Sequence, residues 1–116
     1  MKWTLFILVI VATQTTFAKM KVSDCAQPER WAASMVQVQL KNEGLLRNED
    51  IDFSKTKVTL LAQEKLKKNL YKQIQKVVFV KKNGEELTAI TVNDASNDEC
   101  SMSGVKVYLV QKEFGP

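Results

Sequence analysis

The two cysteines, Cys25 and Cys100, constrain the fold of this 116-residue chain more than any other feature. They are the only cysteines in the sequence, and an isolated pair in an oxidising compartment usually forms a disulfide. Such a bridge stabilises the folded chain by about 4 kcal/mol if it acts by restricting the unfolded state. Two free thiols or a redox pair are the weaker alternative, because the spacing is not Cys-x-x-Cys and no histidine is present to activate a thiolate.

Residues 1–18 have the three parts of a cleavable signal peptide. Lys2 provides a weak positive charge, residues 3–12 form an apolar run broken only by Thr4, and Thr16-Phe17-Ala18 places small residues at the −3 and −1 positions. We therefore expect cleavage after Ala18 and a single domain over residues 19–116. A retained membrane anchor is the alternative, but the apolar run is about half of the roughly 20 residues that a membrane span requires.

Export predicts a periplasmic or secreted protein. A single long-range disulfide favours the bacterial periplasm, whereas secreted eukaryotic domains of this size often carry several bridges. No second apolar segment follows the signal peptide, so the sequence predicts no membrane span.

The segment from Pro28 to Gly44 is the best-defined helix. Pro28 suits the first helical position, and Gly44 suits the position just after a helix, where positive φ is common. The expected apolar stripe consists of Trp31, Met35 and Val38, widened by Ala32, Val36 and Leu40.

Alternating apolar residues predict strands in the second half of the chain. In the connector over residues 45–54, we expect Ile51 and Phe53 to anchor in the core. The first expected strand is residues 57–63, in which Val58, Leu60 and Ala62 alternate. Residues 77–82 and 87–92 are expected to form two strands joined by a hairpin at Asn83-Gly84. The last expected strand is residues 105–110, with Val105, Val107 and Leu109 facing inward. The predicted fold class is α+β: one N-terminal helix packed on an antiparallel sheet of three to four strands, stapled by one disulfide.

The segment from Glu64 to Lys76 fits two structures. Leu66, Leu70 and Ile74 recur at helical spacing, which slightly favours a helix. Alternatively, a turn at residues 67–69 feeds a long strand with Leu70, Ile74, Val78 and Val80 on one face, as a simple meander favours. The sequence leaves both open.

Catalytic patterns are scarce. The absence of histidine excludes the common serine and cysteine triads and any histidine-bearing zinc site. The four glycines are scattered, so no phosphate-binding loop is present. Glu49, Asp50 and Asp52 are close enough to suggest paired carboxylates, but their spacing equally fits an exposed acidic loop. We predict that the protein is not an enzyme and has no cofactor or metal.

Charges are segregated along the chain. Residues 55–82 contain nine lysines and one acid, Glu64, whereas residues 83–101 contain five acids and no base. The basic segment has no arginine and only two aromatic residues, Tyr71 and Phe79, so it predicts nonspecific phosphate attraction at most. Export also removes most such partners, and we predict no nucleic-acid binding.

The polar segment before Cys100 is the candidate binding site. It lacks the glycine and distal glutamate of an EF-hand, so a polar loop is favoured over a calcium site. If Cys100 bonds Cys25, the loop is held at the start of the helix, as in scaffolds that present contact loops. Met102 is expected to anchor in a partner, the alternative being that it folds back onto the core. The predicted partner-binding residues are Asp94, Ser96, Asn97, Asp98, Glu99, Ser101 and Met102.

The C-terminal segment and the predicted layout each resemble known proteins. The segment Glu99-Cys100-Ser101-Met102-Ser103-Gly104-Val105, with Val107-Tyr108-Leu109-Val110, resembles small uncharacterised bacterial periplasmic proteins. The helix-plus-sheet layout is similar to that of cystatins. The Gln-x-Val-x-Gly loop and Pro-Trp hairpin of cystatins are absent, so the resemblance does not imply inhibition of cysteine proteases.

These features together predict a binding protein. The main hypothesis is a small exported protein of the inhibitor or immunity type, which blocks a periplasmic or secreted enzyme or toxin by protein–protein contact. The alternatives are an envelope-associated structural or stress accessory protein and a secreted effector. The oligomeric state is left open.

Overall fold

The computed structural model describes residues 20–111, 114 and 115. One helix, α1 (Trp31–Asn42), precedes four strands: β1 (Lys57–Lys67), β2 (Leu70–Val80), β3 (Glu86–Ala95) and β4 (Lys106–Val110). The strands form one antiparallel sheet in the order β1-β2-β3-β4, and α1 packs on one side of it. The predicted α+β fold class is confirmed.

The predicted signal peptide, residues 1–18, lies outside the described residues. Within the described part of the chain, no helix is long and apolar enough to cross a membrane.

Helix α1 ends as predicted but begins later. Pro28 lies in a turn, and the helix starts at Trp31. At the other end, Gly44 has φ of 71°, and the N–H of Leu45 donates a 2.9 Å hydrogen bond to the carbonyl of Leu40. This is the Schellman pattern, in which a residue in the left-handed region closes the last turn.

The buried side of α1 matches the expected stripe only in part: Ala32, Val36 and Leu40 are buried as predicted. Trp31 is 37% exposed and Val38 is 47% exposed, so the prediction that they lead the core-facing stripe is wrong. The sheet instead contacts the side of α1 that carries two alanines, whose small side chains let a helix lie close to its neighbour. The buried residues of the helix are Ala32, Ala33, Val36 and Leu40.

Residues 64–76 form parts of two strands and no helix. β1 and β2 are joined by a tight turn in which Asn69 has φ of 54°. The strand alternative is therefore correct, but its expected apolar face, with Ile74 and Val78, lies away from α1. The helix-facing residues of β2 are Tyr71, Gln73, Gln75, Val77 and Phe79.

Two smaller expectations are corrected. Ile51 is buried as expected, but Phe53 is 52% exposed, and Leu46 is the second buried residue of the connector. In β1 the register shifts between Leu60 and Ala62. This β-bulge moves Ala62 to the side of the sheet that faces away from α1. The expected alternation of inward-facing residues therefore ends at Leu60.

The β2–β3 hairpin and β4 match the prediction. Gly84 supplies a φ of 90° at the hairpin, where its N–H donates to the carbonyl of Lys81 at 2.9 Å. Val105 is buried, and along β4 Val107 and Leu109 are less exposed than their neighbours.

The core has two apolar clusters with a polar region between them. The larger cluster includes Val36, Leu40, Val77 and Phe79, and the smaller one surrounds Val22, Cys25 and Ala95. Between them, on the helix-facing side of β2 and β3, lie four buried polar residues, which we call the polar layer: Gln73, Gln75, Thr91 and Asn93.

Candidate functional site

The predicted disulfide is present and positions the candidate site. Cys25, at the end of the 3-10 turn Val22–Cys25, is bonded to Cys100, with 5.5 Å between their Cα atoms. Cys100 lies in the connection between β3 and β4, and residues 96–102 of that connection are called the acidic loop below. The bridge therefore fixes the acidic loop beside the segment that leads into α1.

The acidic loop is also closed by its own hydrogen bonds. The hydroxyl oxygen of Ser96 accepts from the N–H groups of Asp98 at 3.1 Å and Glu99 at 2.9 Å. The N–H of Met102 donates to the carbonyl of Asp94 at 3.0 Å. Ser96 is only 3% exposed, so it shapes the loop and offers little surface to a partner.

Two neighbouring segments hold the loop from outside. The Asn69 side chain, at the β1–β2 turn, accepts from the N–H of Asn97 at 2.9 Å and donates to Asp98 at 2.6 Å. The side chain of Asn97 in turn accepts from the N–H of Val22 at 2.9 Å. The acidic loop, the β1–β2 turn and the segment around Val22 therefore lie together at one end of the molecule.

The predicted binding residues do not all share one surface. Asp98 and Glu99 are exposed, and Met102 is 48% exposed, so it does not fold back onto the core. Ser101 is half-buried, and its hydroxyl donates to Glu99 at 2.6 Å. Asp94 belongs to β3 and pairs with Lys72 at 3.3 Å on the side of the sheet away from α1.

An open cleft of about 420 Å³ lies between the acidic loop and the start of α1. Asp98 and Glu99 line one side, and Trp31 lines the other. Carboxylates bind cationic groups, and the face of an exposed indole attracts a cation as well. The remaining lining residues are Met20, Glu29, Arg30, Ser34 and Cys100.

Sequence reasoning missed the helix side of this cleft. The helical spacing of Trp31 to Met35 and Val38 predicts a core position, but an exposed tryptophan in a helix has the same spacing. The signal that points to the cleft is the cysteine pair, which brings residues 98–100 to the start of the helix.

The described residues contain no group of three or more histidine, cysteine, aspartate or glutamate side chains arranged to hold a metal ion. Comparison with protein-family models, curated proteins and solved structures finds no match to this chain. The cleft presents three carboxylates, from Glu29, Asp98 and Glu99, and one guanidinium, from Arg30, beside the indole of Trp31 and the thioether of Met20.

Proposed function

We propose that this protein is an exported binding protein of the inhibitor or immunity type, which blocks a periplasmic or secreted enzyme or toxin by protein–protein contact. The observation that carries the proposal is the fixed acidic loop, which exposes Asp98, Glu99 and Met102 while its backbone is held by Cys25 and Asn69. A loop that is ordered before binding loses little conformational entropy when it meets a partner.

The composition of the surface indicates the partner's chemistry. Asp98 and Glu99 favour a basic surface, because opposite charges speed association and like charges cost several kcal/mol. Trp31 and Met102 supply large exposed apolar groups of the kind that anchor interfaces. We propose that the partner presents lysine or arginine side chains to the cleft.

The test is capture of the partner with the exported protein, followed by measurement of its affinity for Asp98→Lys/Glu99→Lys. Reversing both charges should weaken binding well over tenfold at low salt and mainly slow association. The matched control is Glu85→Lys/Glu86→Lys at the β2–β3 hairpin, which should bind as the wild type does. An unchanged dissociation constant in a folded loop variant would place the contact elsewhere, in the lysine-rich segment over residues 55–82.

Export and processing belong to the same proposal. The exported protein should begin at Lys19 and gain the mass of two hydrogens on reduction. A mature mass that still includes residues 1–18 would contradict export by a cleavable signal peptide.

A further inference from the structure

The polar layer lies where a small α+β protein normally buries apolar side chains. Across β2 and β3, Gln75 is opposite Thr91, and Gln73 is opposite Asn93. Gln73, Gln75 and Thr91 are 0% exposed, and Asn93 is 3% exposed. Buried polar groups require hydrogen-bond partners, since water is no longer available to them.

The amide donors of the layer are used, and they hold both segments that the disulfide joins. Gln73 Nε2 donates to the carbonyl of Val22 at 2.8 Å. Asn93 Nδ2 donates to the carbonyl of Cys100 at 3.1 Å. Gln75 Nε2 donates to Gln73 Oε1 at 3.2 Å, so the side chains form a chain beneath the candidate site.

Three oxygen atoms of the layer lack partners among the described residues: Gln75 Oε1, Thr91 Oγ1 and Asn93 Oδ1. They belong to neighbouring positions, because Thr91 is opposite Gln75 and two residues before Asn93 on the same side of β3. Unpartnered buried groups are few in native proteins. Three in adjacent positions point to one shared partner.

We propose that a buried water molecule binds Gln75, Thr91 and Asn93. Its two hydrogens would be donated to Gln75 Oε1 and Asn93 Oδ1, and its oxygen would accept from the Thr91 hydroxyl. This matches every unpartnered atom of the layer with the donors and acceptors of a single water. Buried waters typically make about three hydrogen bonds.

A monovalent cation is the competing ligand, because all three side chains offer oxygen. A cation in this position would be a buried charge, which requires a compensating charge nearby. None of the four residues of the polar layer is charged, and Asp94 lies on the other side of the sheet. A neutral ligand therefore fits better.

The water completes a network that runs from Val22 to Cys100. Gln75 links it to Gln73 and so to the Val22 carbonyl, while Asn93 links it to the Cys100 carbonyl. The two segments that the disulfide joins are therefore also linked by hydrogen bonds from the polar layer to the carbonyls of Val22 and Cys100. This inference does not depend on the proposed binding function.

The first test is the melting temperature of Thr91→Val, which replaces the hydroxyl with a methyl group of similar size. If water is bound, the variant removes one of its three partners, and the melting temperature should fall by about 3–8 °C. If the oxygens are truly unpartnered, the variant relieves a buried polar group, and the melting temperature should hold or rise. The control is Thr88→Val, on the opposite side of the same strand, where no fall is expected.

The second test locates the ligand directly in the wild-type protein. A high-resolution crystal structure should show one solvent peak at about 2.7–3.2 Å from each of the three oxygens. An absent peak, with the oxygens bonded to protein donors, would overturn the proposal. A peak with additional oxygen ligands and with electron density or anomalous scattering above that of a water would overturn it in favour of a cation. The water should also give nuclear Overhauser effects to nearby amides, and these should be lost in Thr91→Val.

Discussion

Asn69 Nδ2 donates a 2.6 Å hydrogen bond to Asp98 Oδ2 and so joins the β1–β2 turn to the acidic loop, 29 residues away. The side-chain oxygen of the same residue, Asn69 Oδ1, accepts a hydrogen bond from the N–H of Asn97 at 2.9 Å. Asn69 also has φ of 54°, a backbone conformation that asparagine tolerates better than most residues. One residue therefore makes the turn and fixes the loop.

We expect Asn69→Gly to loosen the acidic loop while leaving the turn intact. Glycine accepts positive φ, so the change removes the two side-chain hydrogen bonds and adds flexibility. The free energy of unfolding should fall by about 1–3 kcal/mol. Hydrogen exchange of the Asn97 amide should accelerate, as measured by NMR.

The control for this variant is Asn83→Ala at the β2–β3 hairpin. Asn83 Oδ1 accepts from the N–H of Glu85 at 2.9 Å, so a turn hydrogen bond is again lost, at a site away from the acidic loop. Exchange of the Asn97 amide should remain slow in Asn83→Ala. Equal exchange rates in Asn69→Gly and the wild type would show that the side chain does not hold the loop.

The disulfide should contribute several kcal/mol to the stability of the fold. Its cysteines are 75 residues apart, and removing a native bridge from a small exported domain typically costs 2–5 kcal/mol. We expect Cys25→Ser/Cys100→Ser to lower the free energy of urea unfolding by about this amount. A midpoint equal to that of the wild type would contradict a stabilising role for the bridge.

Gly44 should resist substitution because of its backbone. Its φ of 71° is strained for any residue with a Cβ, although no atom lies within 4 Å of where the Cβ would be. Gly44→Ala should therefore lower stability by about 1–2 kcal/mol. Gly104 is the matched control, since it has no positive φ and also has open space. If Gly104→Ala costs as much as Gly44→Ala in thermal unfolding, the backbone explanation fails.

Asp52 should titrate below its ordinary pKa of 3.8. The Ser54 hydroxyl, which donates to Asp52 Oδ1 at 2.6 Å, is the main cause of the lowered pKa. The Ser54 N–H, Lys55 and Lys82 also lower it, while partial desolvation opposes them. A lowered folded-state pKa contributes stability above the ordinary pKa, and this stability is lost as the pH falls through the folded-state value.

Ser54→Ala should therefore raise the pKa of Asp52 toward 3.8, as measured by NMR titration of its carboxyl carbon. Ser101→Ala is the control, because that hydroxyl donates to Glu99 at 2.6 Å and not to Asp52. The explanation is wrong if Ser54→Ala leaves the Asp52 titration unchanged.

The features that follow from the sequence are local or covalent. Gly44 and Gly84 mark a helix end and a hairpin because few other residues adopt positive φ. The cysteine pair predicts the bridge, and the bridge alone predicts that the acidic loop meets the start of the helix. These conclusions require no knowledge of which surface the sheet buries.

Only the tertiary structure decides which apolar residues are covered. In β2, Ile74 and Val78 lie on the side away from α1, while Val77 and Phe79 face it. Because this strand carries apolar residues on both sides, its apolar residues recur in the sequence at the same spacing as those of a helix. Trp31 has helical spacing too, yet α1 turns its alanines to the sheet. The polar layer is the clearest case: two glutamines, a threonine and an asparagine look solvent-exposed in sequence. They are buried because pairing of β2 with β3 aligns them on one side of the sheet, where the segments that contain Val22 and Cys100 contact them.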